Sequence, residues 1–144
     1  MAKGKNFTPS WHMEVGMNHT PAYQVSGIPF ASGGIDATGT TQELPFPYVT
    51  RWVEVYNNGA TALKVGFSKN GIDAPGAVNY FLLPGAGSSG RLELKISRLY
   101  LNGGNVGTVS VVAGLTSIRP QKIALSGAAG PVSKPSWSGS AGVA

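Results

Sequence analysis

From Trp11 onward the apolar residues recur at every second position, in short runs broken by turn residues, which is the period of a strand and not of a helix. Trp11, Met13 and Val15 alternate with His12 and Glu14, and Tyr23 and Val25 alternate with Gln24 and Ser26 between Pro21 and Gly27. The stretch 28–47, with Gly33-Gly34 and Gly39 inside it, reads as a loop. The strongest strand spans 49–56, with Val53 and Val55 facing one way and Trp52, Glu54 and Tyr56 the other. Asn57-Asn58-Gly59 then predicts a hairpin turn into Leu63, Val65 and Phe67, because Asn followed by Gly suits turns that need positive φ.

Asn70-Gly71 is expected to end that strand, and 78–83 supplies another before Pro84. Leu92, Leu94 and Ile96 alternate with Arg91, Glu93 and Lys95, after which the parity changes to Leu99 and Leu101. A one-residue phase change implies a bulge or corner near Ser97-Arg98, where the strand bends or passes to a second sheet. Asn102-Gly103-Gly104 marks the next turn; Val109, Val111, Ala113 and Leu115 then alternate with Ser110, Val112 and Gly114, and Val112 predicts cover on both faces. Roughly seven to nine short strands with no amphipathic helix predict an all-β fold, an antiparallel β-sandwich of the single jelly-roll kind. An immunoglobulin-like topology is the alternative, without its Cys–Trp–Cys signature.

Composition agrees with this pattern. The 144 residues suit one domain of ordinary size; 21 Gly and 10 Pro serve many turns, and only 12% of residues are charged, too few for long exposed helices. With no cysteine, packing alone must hold the fold. The plan is an N-terminal extension (1–9), a β domain (10–118) and an extended C-terminal tail (119–144) whose Pro, Ser and Gly content is that of a linker. Residues 1–10 lack the apolar run of a secretory signal, and no stretch approaches the ~20 apolar residues of a membrane span. The glycosylation matches at Asn6 and Asn18 read as chance.

The net charge of +5 is unevenly placed. Lys3 and Lys5 stand at one end and Arg119, Lys122 and Lys134 at the other, while bases and acids balance between them. Ile123, Leu125, Val132 and Trp137 are isolated apolar residues of the kind that anchor an extended arm on a neighbouring surface. Lys3, Lys5, Arg119, Lys122, Ile123, Leu125, Lys134 and Trp137 are therefore the candidate inter-subunit tethers. Five charges split over two ends would neutralise few phosphates, so no specific nucleic-acid partner is expected.

Catalytic patterns fail on context. Gly85-Ala86-Gly87-Ser88-Ser89-Gly90 matches the dinucleotide fingerprint, but a strand pattern follows where a helix is required, so the stretch reads as an inter-strand turn. His12, Glu14 and His19 form the one conceivable metal cluster, with nothing to fix His19, and no metal or cofactor is expected. Asp36 and Asp73 read as turn formers, and Glu54 and Glu93 as solvent-facing strand residues beside bases, so no enzyme is predicted. Trp11, Trp52, Tyr56, Tyr80 and Trp137 could make a sugar-stacking platform, with a core role as the competing reading for Trp52 and Tyr80.

Four segments carry a resemblance: Tyr23-Gln24-Val25-Ser26-Gly27-Ile28-Pro29-Phe30, 63–71, Asn79-Tyr80-Phe81-Leu82-Leu83, and 109–116. In wording and order, over residues 20–118, they resemble the small single jelly-roll capsid proteins of large icosahedral double-stranded DNA viruses, especially their pentons. The resemblance implies a structural virion protein located in the capsid, with five copies around a vertex, major and minor capsid proteins as partners, and chain ends that reach neighbours. A decorating or cement protein, or a carbohydrate-binding β-sandwich module taking a host glycan, are the alternatives.

Overall fold

The computed structural model describes residues 16–120. Eight strands form two four-stranded antiparallel sheets packed as a sandwich: β1 (Ile28–Ile35), β2 (Gln42–Pro45), β3 (Thr50–Asn57), β4 (Leu63–Gly66), β5 (Phe81–Leu83), β6 (Gly87–Ser88), β7 (Arg98–Gly103) and β8 (Val109–Leu115). One sheet runs β1-β8-β3-β6 and the other β2-β7-β4-β5. The chain folds back on itself: β1 pairs with β8, β2 with β7, β3 with β6 and β4 with β5. Two one-turn helices accompany them, α1 (Thr20–Gln24) and α2 (Lys69–Asp73). The expected strand around Trp11, Met13 and Val15, and the extensions apart from Arg119 and Pro120, lie outside the described residues.

The inward positions are those that the alternation marks. Val53 and Val55 of β3 with Val109, Val111 and Ala113 of β8 meet Leu63 and Val65 of β4 with Leu99 and Leu101 of β7, all fully buried. Each such Val or Leu side chain contributes about 1.5–3 kcal/mol by leaving water. Phe30 and Phe46 close the β1–β2 side edge to face, with ring centroids 5.1 Å apart. Val112, expected to be covered on both faces, is only half-buried.

Besides the strand expected at 91–96, which is extended chain packed on the core through Leu92, Leu94 and Ile96 and bridged to β3 only at Leu92–Val53, four expected features fold differently. First, 28–47 is not a loop: it holds β1 and β2, whose weak strand chemistry is overridden by pairing with β8 and β7. Second, Tyr23 lies in α1, where Pro21 pre-sets the first turn; a two-position alternation is too short to define a strand. Third, Asn70-Gly71 do not terminate a strand but lie in α2, which begins when the Ser68 hydroxyl caps the Gly71 N–H at 3.1 Å. A Cβ on Gly66 would stand 2.9 Å from Ile72 Cγ1, so the missing side chain is what lets α2 rest on β4.

The fourth correction concerns the expected hairpin at Asn57-Asn58-Gly59. Strands β3 and β4 belong to different sheets, so this segment crosses the sandwich. Asn57 is fully buried and its side chain organises the crossing. Its Nδ2 donates to the carbonyls of Thr61 (2.7 Å), Pro84 (3.2 Å) and Leu83 (3.3 Å), while its Oδ1 accepts from Gly59 N–H (3.1 Å). The phase change near Ser97-Arg98 is, as expected, a corner: Leu92 bridges Val53 in the first sheet, Ser97 accepts from Phe46 N–H, and Arg98 opens β7 in the second.

Replacing Asn57 by Ala would leave three carbonyls and one N–H at this crossing without their partner, at ~1–3 kcal/mol for each group left unsatisfied. The Asn57→Ala chain is therefore expected to lose at least about 2 kcal/mol in urea unfolding, against less than about 0.5 kcal/mol for the exposed neighbour Asn58→Ala. Equal losses would refute this account of the crossing.

Candidate interaction surfaces

Of the candidate tethers, the structure describes Arg119 alone, at an exposed position past β8. Lys3, Lys5, Lys122, Ile123, Leu125, Lys134 and Trp137 lie outside the described residues, as do His12, Glu14 and Trp11. The root of the C-terminal segment is firmly tied. Val49 N–H donates to the Ile118 carbonyl at 2.9 Å, the Thr116 hydroxyl donates to the Val49 carbonyl at 2.7 Å, and Ile118 packs with Val49 and Ala22. Whatever follows Pro120 therefore leaves from a fixed point at the α1 end of the sandwich.

The outer face of the β1-β8-β3-β6 sheet carries most of the polar and aromatic chemistry. The ladder slips between Thr50 and Trp52, and Arg51 and Trp52 are both half-buried around that irregularity. Trp52 lies flat over β8: a Cβ on Gly114 would stand 2.3 Å from its Nε1, so glycine is required beneath the indole. The Arg91 guanidinium is 5.1 Å from the Trp52 ring centroid and pairs with Glu93 at 2.7 Å. Lys95 Nζ sits 4.6 Å over Tyr23, and Arg51 Nη1 donates to the Val25 carbonyl at 2.9 Å, clamping α1 onto the sheet. Tyr23, Arg51, Glu93 and Lys95 line an open groove of about 320 Å³. Burial raises the Tyr23 phenol above its ordinary pKa, and the hydrogen bond to Glu54 does the same for Tyr56.

Of the five proposed stacking aromatics, Trp52 and Tyr56 share this face, whereas Tyr80 stands just before β5 of the other sheet, under Lys64 Nζ at 4.8 Å. Trp52 and Tyr80 are half-buried at outward positions and are not core residues.

A second groove, about 280 Å³ and mainly apolar, lies where the chain enters β5. Val65, Phe67, Val78, Asn79, Tyr80 and Phe81 line it, with the Phe67 and Phe81 rings 6.4 Å apart. Val78 is 76% exposed and Leu82, on the same strand as Phe81, is 59% exposed. Nothing in the alternation of 78–83 distinguishes these residues from core, because what exposes them is the brevity of β5 and β6, a tertiary property.

The carboxylates in the described residues each have a structural partner. Asp36 accepts from Thr38 N–H (3.0 Å) and the Thr38 hydroxyl (2.5 Å), Glu43 pairs with Arg98 (3.2 Å), Glu54 accepts from Ser88 (2.9 Å), Asp73 accepts from Thr41, and Glu93 pairs with Arg91. Asp36 is thus the turn former expected, while Asp73 ends α2 and does not lie in a loop. Within 85–90, expected to be wholly a turn, Gly85-Ala86 turn the chain and Gly87-Ser88 are β6 itself, with Ser89 Oγ accepting from Val55 N–H at 2.9 Å; no helix follows. Among the described residues no group of His, Cys, Asp and Glu could hold a metal ion, and no helix is long and apolar enough to cross a membrane.

Comparison with known protein families, curated proteins and solved structures finds no match to this chain.

The two Thr38 hydrogen bonds hold the Asp36 carboxyl below its ordinary pKa. A depressed folded-state pKa gives stability that is present above the unfolded value, near 3.9, and is lost as pH falls through the folded value. Carboxyl NMR titration of Thr38→Val is expected to move the Asp36 midpoint upward toward the ordinary range; an unmoved midpoint would assign the shift to another cause.

Proposed function

We propose that the chain is a structural virion protein with a single jelly-roll fold, the penton subunit of an icosahedral double-stranded DNA virus capsid or a related minor subunit. The observation that carries this reading is the pairing of β1 with β8, β2 with β7, β3 with β6 and β4 with β5. A long antiparallel hairpin rolled into two sheets has that order. Fold alone does not set function. The functional part rests on the resemblance of 23–30, 63–71, 79–83 and 109–116 to small capsid proteins, segments that coincide with the start of β1, with β4 and α2, with β5 and with β8. The carboxylates tied to local structural partners fit a body that acts by contact and not by turnover.

In this reading the subunit forms a homopentamer in the capsid and contacts major and minor capsid proteins through its basic ends. A five-membered ring uses a heterologous interface, in which two different patches meet. The two lateral edges of the sandwich are unlike enough to serve: β1 runs for eight residues and exposes Ile28, whereas β5 and β6 have three and two. A carbohydrate-binding module is the second reading, favoured by Trp52 and Tyr56 sharing one outer face.

Light scattering on the purified full chain is expected to give five times the 14.8 kDa protomer mass. A monomer at every concentration that binds an oligosaccharide, with loss of binding in Trp52→Ala, would replace the capsid reading by the second.

A further inference from the structure

The groove at the start of β5 has the character of a seat for an extended segment. Val65, Phe67, Val78 and Phe81 give it a mainly hydrophobic lining, and its volume lies just under the ~300–1,000 Å³ of small-molecule sites, room for one large side chain. Beside it, β5 is the outermost strand of its sheet, paired on one side with β4 and carrying an open hydrogen-bonding edge on the other. An open pocket next to an open edge suits a chain that adds along the strand while one side chain fills the pocket.

The sequence contains such a chain. Residues 121–144 carry Ile123, Leu125, Val132 and Trp137 among Gly, Ser, Ala and Pro, with no acidic residue. Their point of departure is fixed, because Ile118 is bonded to Val49 at the end of the sandwich where β3 begins. The groove opens at that same end: β4 runs away from the Asn57 crossing toward Phe67, and β5 returns from Phe81. From Pro120 to Trp137 a chain at ~3.3 Å per residue reaches about 55 Å, several times the ~15 Å width of a four-stranded sheet. Attachment to the same molecule gives such a segment a millimolar-range effective concentration at any site it spans, well above that of a second copy in dilute solution.

We propose that the β5 groove holds the chain's own C-terminal segment, with the Trp137 indole as its anchor between Phe67, Val78 and Phe81. The isolated subunit then keeps its apolar arm covered. This goes beyond the capsid reading and does not need it, since it concerns one copy in dilute solution.

A chain without cysteine allows a direct test, because introduced pairs have no background. Asn79, exposed on the groove wall, and Gln42, exposed on the opposite edge of the same sheet, are each changed to Cys together with Ser136→Cys in the full chain. Under oxidised glutathione at low protein concentration, Asn79→Cys/Ser136→Cys is expected to form an intramolecular disulfide at least ~10 times faster than Gln42→Cys/Ser136→Cys, the ratio measuring local concentration. Adding Trp137→Ala should bring the first pair down to the rate of the second. Equal rates for the two pairs, or no effect of Trp137→Ala, would overturn the proposal. So would a disulfide-linked dimer as the main product, which would give the groove to the segment of a second copy.

Discussion

A buried carboxamide, that of Asn57, fixes how the two sheets are joined. A sandwich has no backbone hydrogen bonds between its layers, so the layers are tied covalently where the chain crosses and polar groups at the crossings must find partners. Asn57 ends β3 with its side chain fully buried, and its amide reaches the carbonyls of Thr61, Leu83 and Pro84. One side chain thereby ties the β3–β4 crossing to the β5–β6 crossing. Asn105 adds the β7–β8 connection, its Oδ1 accepting from Ala60 N–H (2.7 Å), Thr61 N–H (3.1 Å) and the Thr61 hydroxyl (2.9 Å). At the other end the task falls to hydroxyls: Thr50 Oγ1 donates to the Leu94 carbonyl and accepts from Ile96 N–H, and Thr116 bonds Val49. Between these two polar ends the core is free to be purely aliphatic and aromatic.

That arrangement explains which parts of the fold the sequence makes legible. Strands β3, β7 and β8 alternate cleanly because one face of each is core, and the parity change at Ser97-Arg98 marks the corner correctly because a change of sheet reverses which residues point inward. Strand β1 was invisible for the complementary reason. Its residues Ile28, Pro29, Ala31, Gly33 and Gly34 are exposed, its pairing comes wholly from β8, and its ladder skips between Ser32 and Ile35, where the two glycines fall. Asn57-Asn58-Gly59 misled because a turn dipeptide specifies a reversal of direction but not whether the returning strand enters the same sheet. Six of the seven connections here change sheets; only β4 to β5 returns within one, and it does so through α2.

The interaction surfaces follow the same division. Charge is legible from the chain alone, since balanced bases and acids in the body against bases at both ends need no coordinates. The clamp of α1 by Arg51 and Lys95 and the indole laid over Gly114 were not legible, because each joins residues far apart in sequence. The β5 groove was hidden for a subtler reason. Phe67, Val78 and Phe81 have the composition of core, and the shortness of β5 and β6 leaves Val78 exposed and the two rings half-buried.

The two lateral edges solve the problem of unpaired strands by opposite means, and this bears on assembly. On one side the eight-residue β1 is long enough to template pairing with another chain, but Pro29 removes a donor and the skip between Ser32 and Ile35 breaks its register. On the other side β5 and β6 present three and two residues, too little backbone for strand addition to hold by hydrogen bonds alone, and the exposed apolar side chains Val78 and Leu82 accompany them. Like edges are therefore poor partners: two copies of β1 would meet at a proline and an irregular ladder, and two copies of β5 would gain few hydrogen bonds. Contact between unlike edges would avoid both difficulties, joining a long backbone edge to an apolar one once the chain's own C-terminal segment has left the β5 groove. Contacts between unlike patches generate rings when the rotation closes, so a cyclic assembly and resistance to edge-to-edge aggregation would draw on the same asymmetry of the sandwich.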